Sequence, residues 1–197
     1  LPLKSESIDL AASVFGIEYS DLQKSLPEAI RVLRPNGVFH ALMHADESVI
    51  SAMSARALSE FQDADMNAIV DNLKVIDQQL NELRVPARLK QSRTSEAARV
   101  NLNGLAQKYM GNLNPDTGNA IMVQFVGDAL KYFNMLNHSD TIRAQYIDGI
   151  EVEFQASRQR YTAMAAAAQS ETDIASIRTL LQQQNCAAMS VEKFFSE

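Results

Sequence analysis

The side chains in this sequence that can carry acid–base, nucleophilic or metal chemistry are few and far apart. The 197 residues include three histidines and one cysteine. His44 stands close to Asp46 and Glu47, but one histidine and two adjacent carboxylates hold a metal only with ligands from elsewhere. Cys186 has no histidine or basic residue beside it to activate its thiol. The sequence therefore favours neither a metal centre nor a cysteine nucleophile.

Other residues indicate which partners to expect. A run of basic residues around Pro86 is read as a solvated face or, alternatively, a contact for an anionic substrate or partner: Arg84, Arg88, Lys90, Arg93 and Arg99. The net charge of −6 argues against nucleic acid. No apolar run approaches the ~20 residues that span a bilayer, so no membrane partner is expected. His40 is read as a structural histidine.

The elements around these residues change character along the chain. Residues 8–15 form a short apolar run of strand type, and Ser20 or Asp21 can cap a helix that ends near Leu33. Residues 34–37 predict a tight turn, and residues 38–43 predict a second strand. Strand, helix and strand over residues 1–45 indicate an α/β fold with a parallel pair of strands.

The rest of the chain is predominantly helical by its pattern. Residues 46–170 predict a helical insertion or lid, with apolar stripes such as Val49, Ile50, Met53, Ala57 and Phe61. Residues 171–197 predict a helix and, over residues 187–195, a last strand. This order predicts three segments, 1–45, 46–170 and 171–197, and about six helices after the second strand.

Residues 1–37 resemble the middle of class I S-adenosylmethionine-dependent methyltransferases. The resemblance rests on Leu1-Pro2-Leu3, on Ser7-Ile8-Asp9-Leu10 leading into a strand, and on Glu28-Ala29-Ile30-Arg31-Val32-Leu33-Arg34-Pro35-Asn36-Gly37 ending the next helix. Asn36 stands where the family has the first glycine of a pair. The end of the chain is similar, less specifically, to the family's last helix and sixth strand. The resemblance implies part of a doubly wound sheet, strands four to six, and S-adenosyl-L-methionine as cofactor.

The resemblance also implies where the site lies. The end of the fourth strand and its turn face the cofactor, which makes Ser13, Val14, Phe15 and Gly16 cofactor-binding expectations. Glu18, Tyr19 and, at the end of the next strand, His44 are substrate-binding expectations for a small-molecule methyl acceptor. Glu18 is also the candidate general base, and no other residue receives a catalytic role.

The family's cofactor site also depends on a glycine-rich turn and on an acidic residue after its first two strands. The seven glycines of this chain include no Gly-x-Gly. The chain is therefore interpreted as a fragment, the C-terminal half of a methyltransferase. The alternative is a non-enzymatic helical module that binds partners or forms homo-oligomers. The single cysteine and the lack of a secretory signal predict a cytoplasmic protein.

Overall fold

A computed structural model describes residues 2–184, 186 and 188–193. Its first elements follow the predicted order of strand, helix and strand, and helices follow them. The strands and α-helices of this described part are β1 (Ile8–Val14), α1 (Leu22–Val32), β2 (Leu33–Leu42), α2 (Val49–Glu60), α3 (Asp63–Leu83), α4 (Arg93–Met110), α5 (Ala120–Leu130), α6 (Asp140–Ala167) and α7 (Glu171–Gln183). Short 3-10 helices occupy Ile17–Tyr19, Pro86–Gln91 and Lys131–Met135. The predicted α/β class with mainly helical content is confirmed.

The chain divides into two compact units that are described separately. The sheet unit comprises residues 1–55 and 161–197, and the helical unit comprises residues 56–160. The three predicted segments with boundaries near residues 45 and 170 remain a prediction about domains.

In the sheet unit, β1, α1 and β2 form a parallel β-α-β arrangement. The Asp21 side chain caps α1 by accepting a hydrogen bond from the Gln23 N–H at 3.1 Å. Leu26 and Val32 are buried on the inner face of α1, and Pro27 lies inside the helix without ending it. β1 then pairs with β2 in parallel, from Leu10 beside Val38 to Val14 beside Leu42.

The predicted tight turn at residues 34–37 is instead the irregular first part of β2. The strand begins at Leu33, directly after α1, and its register with β1 shifts between Ile8 and Leu10. Asn36 takes the left-handed conformation there, with φ 67°. Asparagine tolerates this conformation because its short side chain hydrogen-bonds locally. The turn chemistry therefore produces a distortion within the strand.

One face of the two-stranded sheet has no described cover. Side chains alternate between the two faces along a strand, so Leu10 and Val14 of β1 point to the same face. Their partners in β2, Val38 and Leu42, lie beside them on that face, and all four are exposed. The apolar stripe predicted on α2 is also not buried, since Val49, Ile50 and Met53 are exposed. Helical spacing predicted the stripe correctly but said nothing of whether another element would pack on it.

The last strand that the pattern predicts is absent from the described residues. Cys186 and residues 188–193 carry no regular secondary structure, and the remaining positions of the segment, 185, 187 and 194–197, lie outside the described residues. The helix before it forms as predicted. α7 begins with a capping box in which the Ser170 side chain accepts from the Asp173 N–H at 3.2 Å. α7 packs against α1.

The helical unit is organised around α3. Its apolar residues are buried along the predicted stripe, and α4 and α5 pack on it. Asp77 of α3 is buried and accepts hydrogen bonds from Tyr132 Oη at 2.8 Å and Arg143 Nε at 2.6 Å. Buried charges are found where they are paired in this way. The network joins α3 to α6 through side chains distant in sequence.

Candidate functional site

The carboxyl ends of β1 and β2 bring most of the predicted site residues to one edge of the sheet. The Phe15 N–H donates to the Leu42 carbonyl at 2.8 Å, which continues the strand pairing by one residue. Phe15 then takes φ 49°, a left-handed conformation that costs a residue with a side chain about 1–2 kcal/mol. This reversal directs the chain into the 3-10 helix Ile17–Tyr19. Ligands of open α/β sheets bind at such carboxyl ends.

Ser13 and Gly16 shape the turn that follows β1. Ser13 Oγ accepts from the Ile17 N–H at 2.8 Å, so it caps the start of the 3-10 helix. A Cβ atom at Gly16 would stand 3.2 Å from the same Oγ, which is tighter than ordinary contact. Glycine therefore allows the turn to pass close to the Ser13 side chain. The residue with positive φ is its neighbour Phe15.

Three aromatic rings meet at this edge. The rings of Phe15 and His44 are stacked, with centroids 4.5 Å apart and an interplanar angle of 17°. Tyr19 meets His44 edge to face, at 6.4 Å and 87°. Phe15 and Tyr19 remain about half exposed, at 47% and 45%. We call Phe15, Tyr19 and His44 the aromatic cluster; it presents aromatic surface to solvent where a planar or cationic ligand could stack.

Glu18, in the 3-10 helix between Ile17 and Tyr19, lies in an unusual environment. The residue is only 5% exposed, and neither carboxylate oxygen has a hydrogen-bond partner among the described residues. An ionised carboxylate buried without a partner is costly, so such groups are uncommon in native proteins. The structure covers this carboxylate, and its expected role toward a substrate stays a prediction.

Gln169 is a member of the site that sequence reasoning missed. Its backbone N–H donates to the His44 carbonyl at 2.7 Å, and its carbonyl accepts from the Asp46 N–H at 3.2 Å. Gln169 therefore pairs with the chain just after β2, where His44 lies 125 positions earlier in the sequence. Its side-chain oxygen Oε1 is buried and has no partner among the described residues. No sequence pattern marks such a residue, because the pairing depends on chain segments meeting in space.

The structure does not bring the other candidates into a reactive arrangement. His40 is exposed on the uncovered face of the sheet, beside Ala12 of β1, and its interpretation as a structural histidine stays a prediction. Within the described residues, no three His, Cys, Asp or Glu side chains converge as metal ligands. Glu47 instead lies 3.5 Å from Lys193. Cys186 is a free, partly buried thiol.

Comparison with protein-family models gives one match to this chain. Residues 1–41 match a family described as methyltransferase domain. The matched segment contains β1, α1 and β2 as far as its penultimate residue, and it includes Phe15, Glu18 and Tyr19 but not His44. No curated protein and no solved structure matches the chain. The match supports a methyltransferase-like domain over this segment.

None of the helices in the described part of the chain is long and apolar enough to cross a membrane.

Proposed function

We propose that residues 1–45 are part of a domain that transfers a methyl group from S-adenosylmethionine to a small-molecule acceptor. The observation that carries the proposal is the stacked pair of Phe15 and His44 at the carboxyl ends of β1 and β2, within and directly after the segment that matches a methyltransferase domain. The carboxyl edge of a parallel sheet is where α/β proteins bind ligands. The proposal makes this edge the methyl-transfer site.

The cofactor side of the proposed site consists of the end of β1 and its turn. S-adenosylmethionine, when bound, supplies an electrophilic methyl group on a positively charged sulfur. Val14 and Phe15 are exposed at 68% and 47%, so their side chains are available to contact a ligand. Ser13 and Gly16 keep the turn close to the strand. These four residues would form one wall of the cofactor site.

The acceptor side of the proposed site consists of Tyr19, His44 and Glu18. The rings of Tyr19 and His44 would orient the acceptor and exclude water from one side of it, because methyl transfer depends mainly on alignment in a dry pocket. Glu18 would take up a proton if the acceptor loses one. Its two unpartnered oxygens support this role, since a donor from a ligand would relieve an otherwise costly burial.

The residues of this chain fit only part of a cofactor site. None of its seven glycines belongs to a Gly-x-Gly turn, which would hold the carboxylate end of the cofactor near a helix N-terminus. We therefore propose, as the finer form of the same proposal, that the chain supplies the C-terminal half of a doubly wound methyltransferase domain. The glycine-rich turn and the acidic residue for the ribose would lie outside these 197 residues.

Calorimetric titration of S-adenosylhomocysteine, the product form of the cofactor, tests this proposal. The titration is made with the 197-residue chain and with the longest product of its gene. Saturable binding to the longer product, and much weaker binding to the chain alone, is the expected result. Absence of binding to both proteins would overturn the methyltransferase proposal.

Two substitutions assign the binding to the proposed edge. Phe15→Ala removes one wall of the site and should weaken S-adenosylhomocysteine binding to the longer product by about tenfold. Val38→Ala, an exposed apolar truncation near the opposite end of the same strands, is the matched control and should leave binding unchanged. Equal effects of the two substitutions would show that the ligand binds elsewhere.

A second candidate function, association between copies of the chain, is favoured by the uncovered sheet face. Parallel sheets are normally covered on both faces, and an open strand edge can pair with another chain. Leu10→Glu places a charge on this face and should convert a self-associated species to monomer in sedimentation velocity. Val152→Glu, at an equally exposed apolar residue of the helical unit, is the control. A wild-type chain that is monomeric throughout would exclude this function.

A further inference from the structure

The connection between α3 and α4 carries a positive charge that nothing in the methyltransferase proposal uses. Residues 83–95 contain Arg84, Arg88, Lys90 and Arg93 and no carboxylate, in a chain whose net charge is −6. All four side chains are exposed. This arrangement creates a local positive potential on an otherwise acidic protein, which attracts anions.

The nearest carboxylates in sequence are already engaged. Glu82 accepts hydrogen bonds from Gln78 Nε2 at 3.2 Å and Gln79 Nε2 at 2.7 Å. Glu96 forms an ion pair with Arg99, and this pairing lowers the pKa of Glu96 below its ordinary value. Among the described residues, Arg84 forms no salt bridge with a carboxylate. The Arg84 guanidinium is therefore a cation available to a ligand.

Arg84 lies at the border of a polar cavity within the helical unit. The cavity has a volume of about 330 Å³, at the lower end of the range for small-molecule sites. It is lined mainly by side chains that donate hydrogen bonds: Asn81, Arg84, Asn137, His138, Ser139 and Arg143. Such donors, drawn from the end of α3, the loop after α5 and the start of α6, suit an oxygen-rich anion.

The conformation of Arg84 holds it at this position. The residue follows the last turn of α3 with φ 59° and ψ 0°, and its N–H donates to the Leu80 carbonyl at 2.9 Å. Glycine is the usual residue at such a left-handed helix end, because it has no Cβ atom. An arginine here therefore carries a backbone strain that glycine would not.

Arg143, another lining residue, is held in place by the buried network. Arg143 is 5% exposed, and its guanidinium donates to Asp77, to Asn81 and to the His138 carbonyl. Asp77 neutralises the charge of Arg143, so Arg84 is the lining cation that forms no salt bridge among the described residues. Three of the five N–H groups of Arg143 have acceptors among the described residues, which leaves donors for a ligand.

Asp140 is the carboxylate among the described residues that line the cavity, and its negative charge opposes binding of an anion. Its Oδ1 accepts from the Thr141 N–H at 2.9 Å at the start of α6, where the positive end of the helix dipole offsets part of its charge. Asp140 therefore weakens anion binding. Removing its charge should strengthen binding, whereas removing the charge of Arg84 should weaken it.

We propose that this cavity binds the phosphate group of a small phosphorylated molecule, with Arg84 as the principal charged contact. Guanidinium groups bind phosphate through two parallel hydrogen bonds, and the asparagine amides and Ser139 complete the donor set. Arg88, Lys90 and Arg93 do not line the cavity; they raise the local potential and the rate of encounter. The site is independent of the methyltransferase proposal, because all of its residues belong to the helical unit.

The experiment is a titration of the ¹⁵N-labelled chain with inorganic phosphate and, in parallel, with glycerol 3-phosphate, at constant ionic strength set by chloride. Saturable shifts confined to the amides of residues 80–86 and 136–143 are the expected result. Tighter binding of glycerol 3-phosphate would identify a phosphate ester as the ligand, and equal binding would identify the free anion. Shifts that rise linearly and spread over all basic residues would overturn the proposal, because they would indicate a solvated face only.

Two substitutions with opposite expected effects on the dissociation constant for phosphate make the test specific. Arg84→Gln should raise the dissociation constant by about tenfold, the loss expected for one charge-assisted contact. Asp140→Asn should lower it several-fold, because the amide still caps Thr141 without the negative charge. Arg99→Gln, an exposed arginine engaged with Glu96, is the matched control and should change it less than twofold. Equal effects of Arg84→Gln and Arg99→Gln would overturn the site.

A further variant separates loss of binding from loss of folding. Arg84→Gly removes the charge and also relieves the left-handed backbone, so it should raise the melting temperature while it weakens phosphate binding at least as much as Arg84→Gln. A glycine variant that binds phosphate as well as the wild-type chain would contradict the assigned role of Arg84.

Discussion

The sheet unit and the helical unit use their apolar residues differently. Among the described residues, the apolar side chains that are buried in the sheet unit are few: Leu26, Ala29, Val32, Leu33, Ala167 and Ile177. The helical unit contains all the other buried apolar residues, including Leu73, Phe125 and Tyr132. The sheet unit instead exposes apolar residues on β1, β2 and α2.

The difference follows from what each kind of element requires. An amphipathic helix buries a single stripe, so α3, α4 and α5 cover one another within one unit. A parallel sheet has two faces and two edges to cover, and among the described helices α1 packs against β2. The comparison indicates that the helical unit contains its own core, whereas the sheet unit leaves much of its apolar surface exposed.

The largest effect is expected from breaking the buried network of the helical unit. Asp77→Ala leaves the Arg143 guanidinium and the Tyr132 hydroxyl without their buried acceptor and should lower the free energy of unfolding by about 3–5 kcal/mol. Urea denaturation followed by circular dichroism measures the change. Asp63 lies on the same helix as Asp77 and forms an exposed ion pair with Arg158 of α6. Asp63→Ala removes this pair and should lower the free energy of unfolding by less than about 1 kcal/mol. Comparable losses would show that the network is not the rigid centre of the unit.

A pair of identical truncations compares the two units directly. Leu73→Ala in the core of α3 should lower the free energy of unfolding by about 2–5 kcal/mol, because Leu73 is fully buried. Leu10→Ala on the uncovered sheet face should change it by no more than about 0.5 kcal/mol, because Leu10 is 58% exposed. Thermal and urea unfolding of both variants give the comparison. A large loss from Leu10→Ala would mean that the sheet face is covered in solution.

A smaller effect is expected at the start of α7, the helix that covers α1. Ser170→Ala removes the capping box and should cost about 1 kcal/mol. Hydrogen exchange should then accelerate at amides of α7 and leave those of α3 unchanged. Ser176→Ala, an exposed serine inside the same helix whose hydroxyl donates to the Thr172 carbonyl, is the control and should be neutral or slightly stabilising. Faster exchange at amides of both α7 and α3 would contradict the expectation that the capping box stabilises α7 locally.

The smallest effect is a pH dependence in the helical unit. Hydrogen bonds from Lys108 and Tyr109 lower the pKa of Asp65 below its ordinary value of 3.8. A lowered pKa in the folded protein contributes stability above the unfolded pKa, and this contribution is lost as the pH falls through the folded pKa. Asp65→Asn should therefore cost about 0.5–1 kcal/mol at neutral pH and progressively less below pH 3.8.

Urea denaturation at several pH values checks this dependence. Asp71→Asn, an exposed carboxylate on the same helix, is the control. An Asp65→Asn variant whose deficit stays constant from neutral pH to acid would contradict the assigned ion pair.

Patterns in the sequence predicted local structure in both units. The apolar run at residues 8–15 and the capping residues Ser20 or Asp21 predicted β1, α1 and their order, and the pattern after residue 46 predicted helices. These features depend on neighbours within a few residues, so sequence alone carries them. The failures have the opposite character. Helical spacing on α2 does not say whether anything packs there, and β-forming residues after residue 187 do not supply a partner strand.

The sequence by itself determined the parallel β-α-β segment, its resemblance to a methyltransferase domain, and the helical character of the chain after it. Only the tertiary structure decided that Phe15 stacks on His44, that Glu18 is buried with no hydrogen-bond partner among the described residues, and that Gln169 pairs with the chain after β2. It also decided that Arg84 of a basic run borders a cavity with Arg143. The physical reason is that secondary structure arises from local backbone and side-chain preferences, whereas a site requires residues far apart in sequence to be brought together by packing.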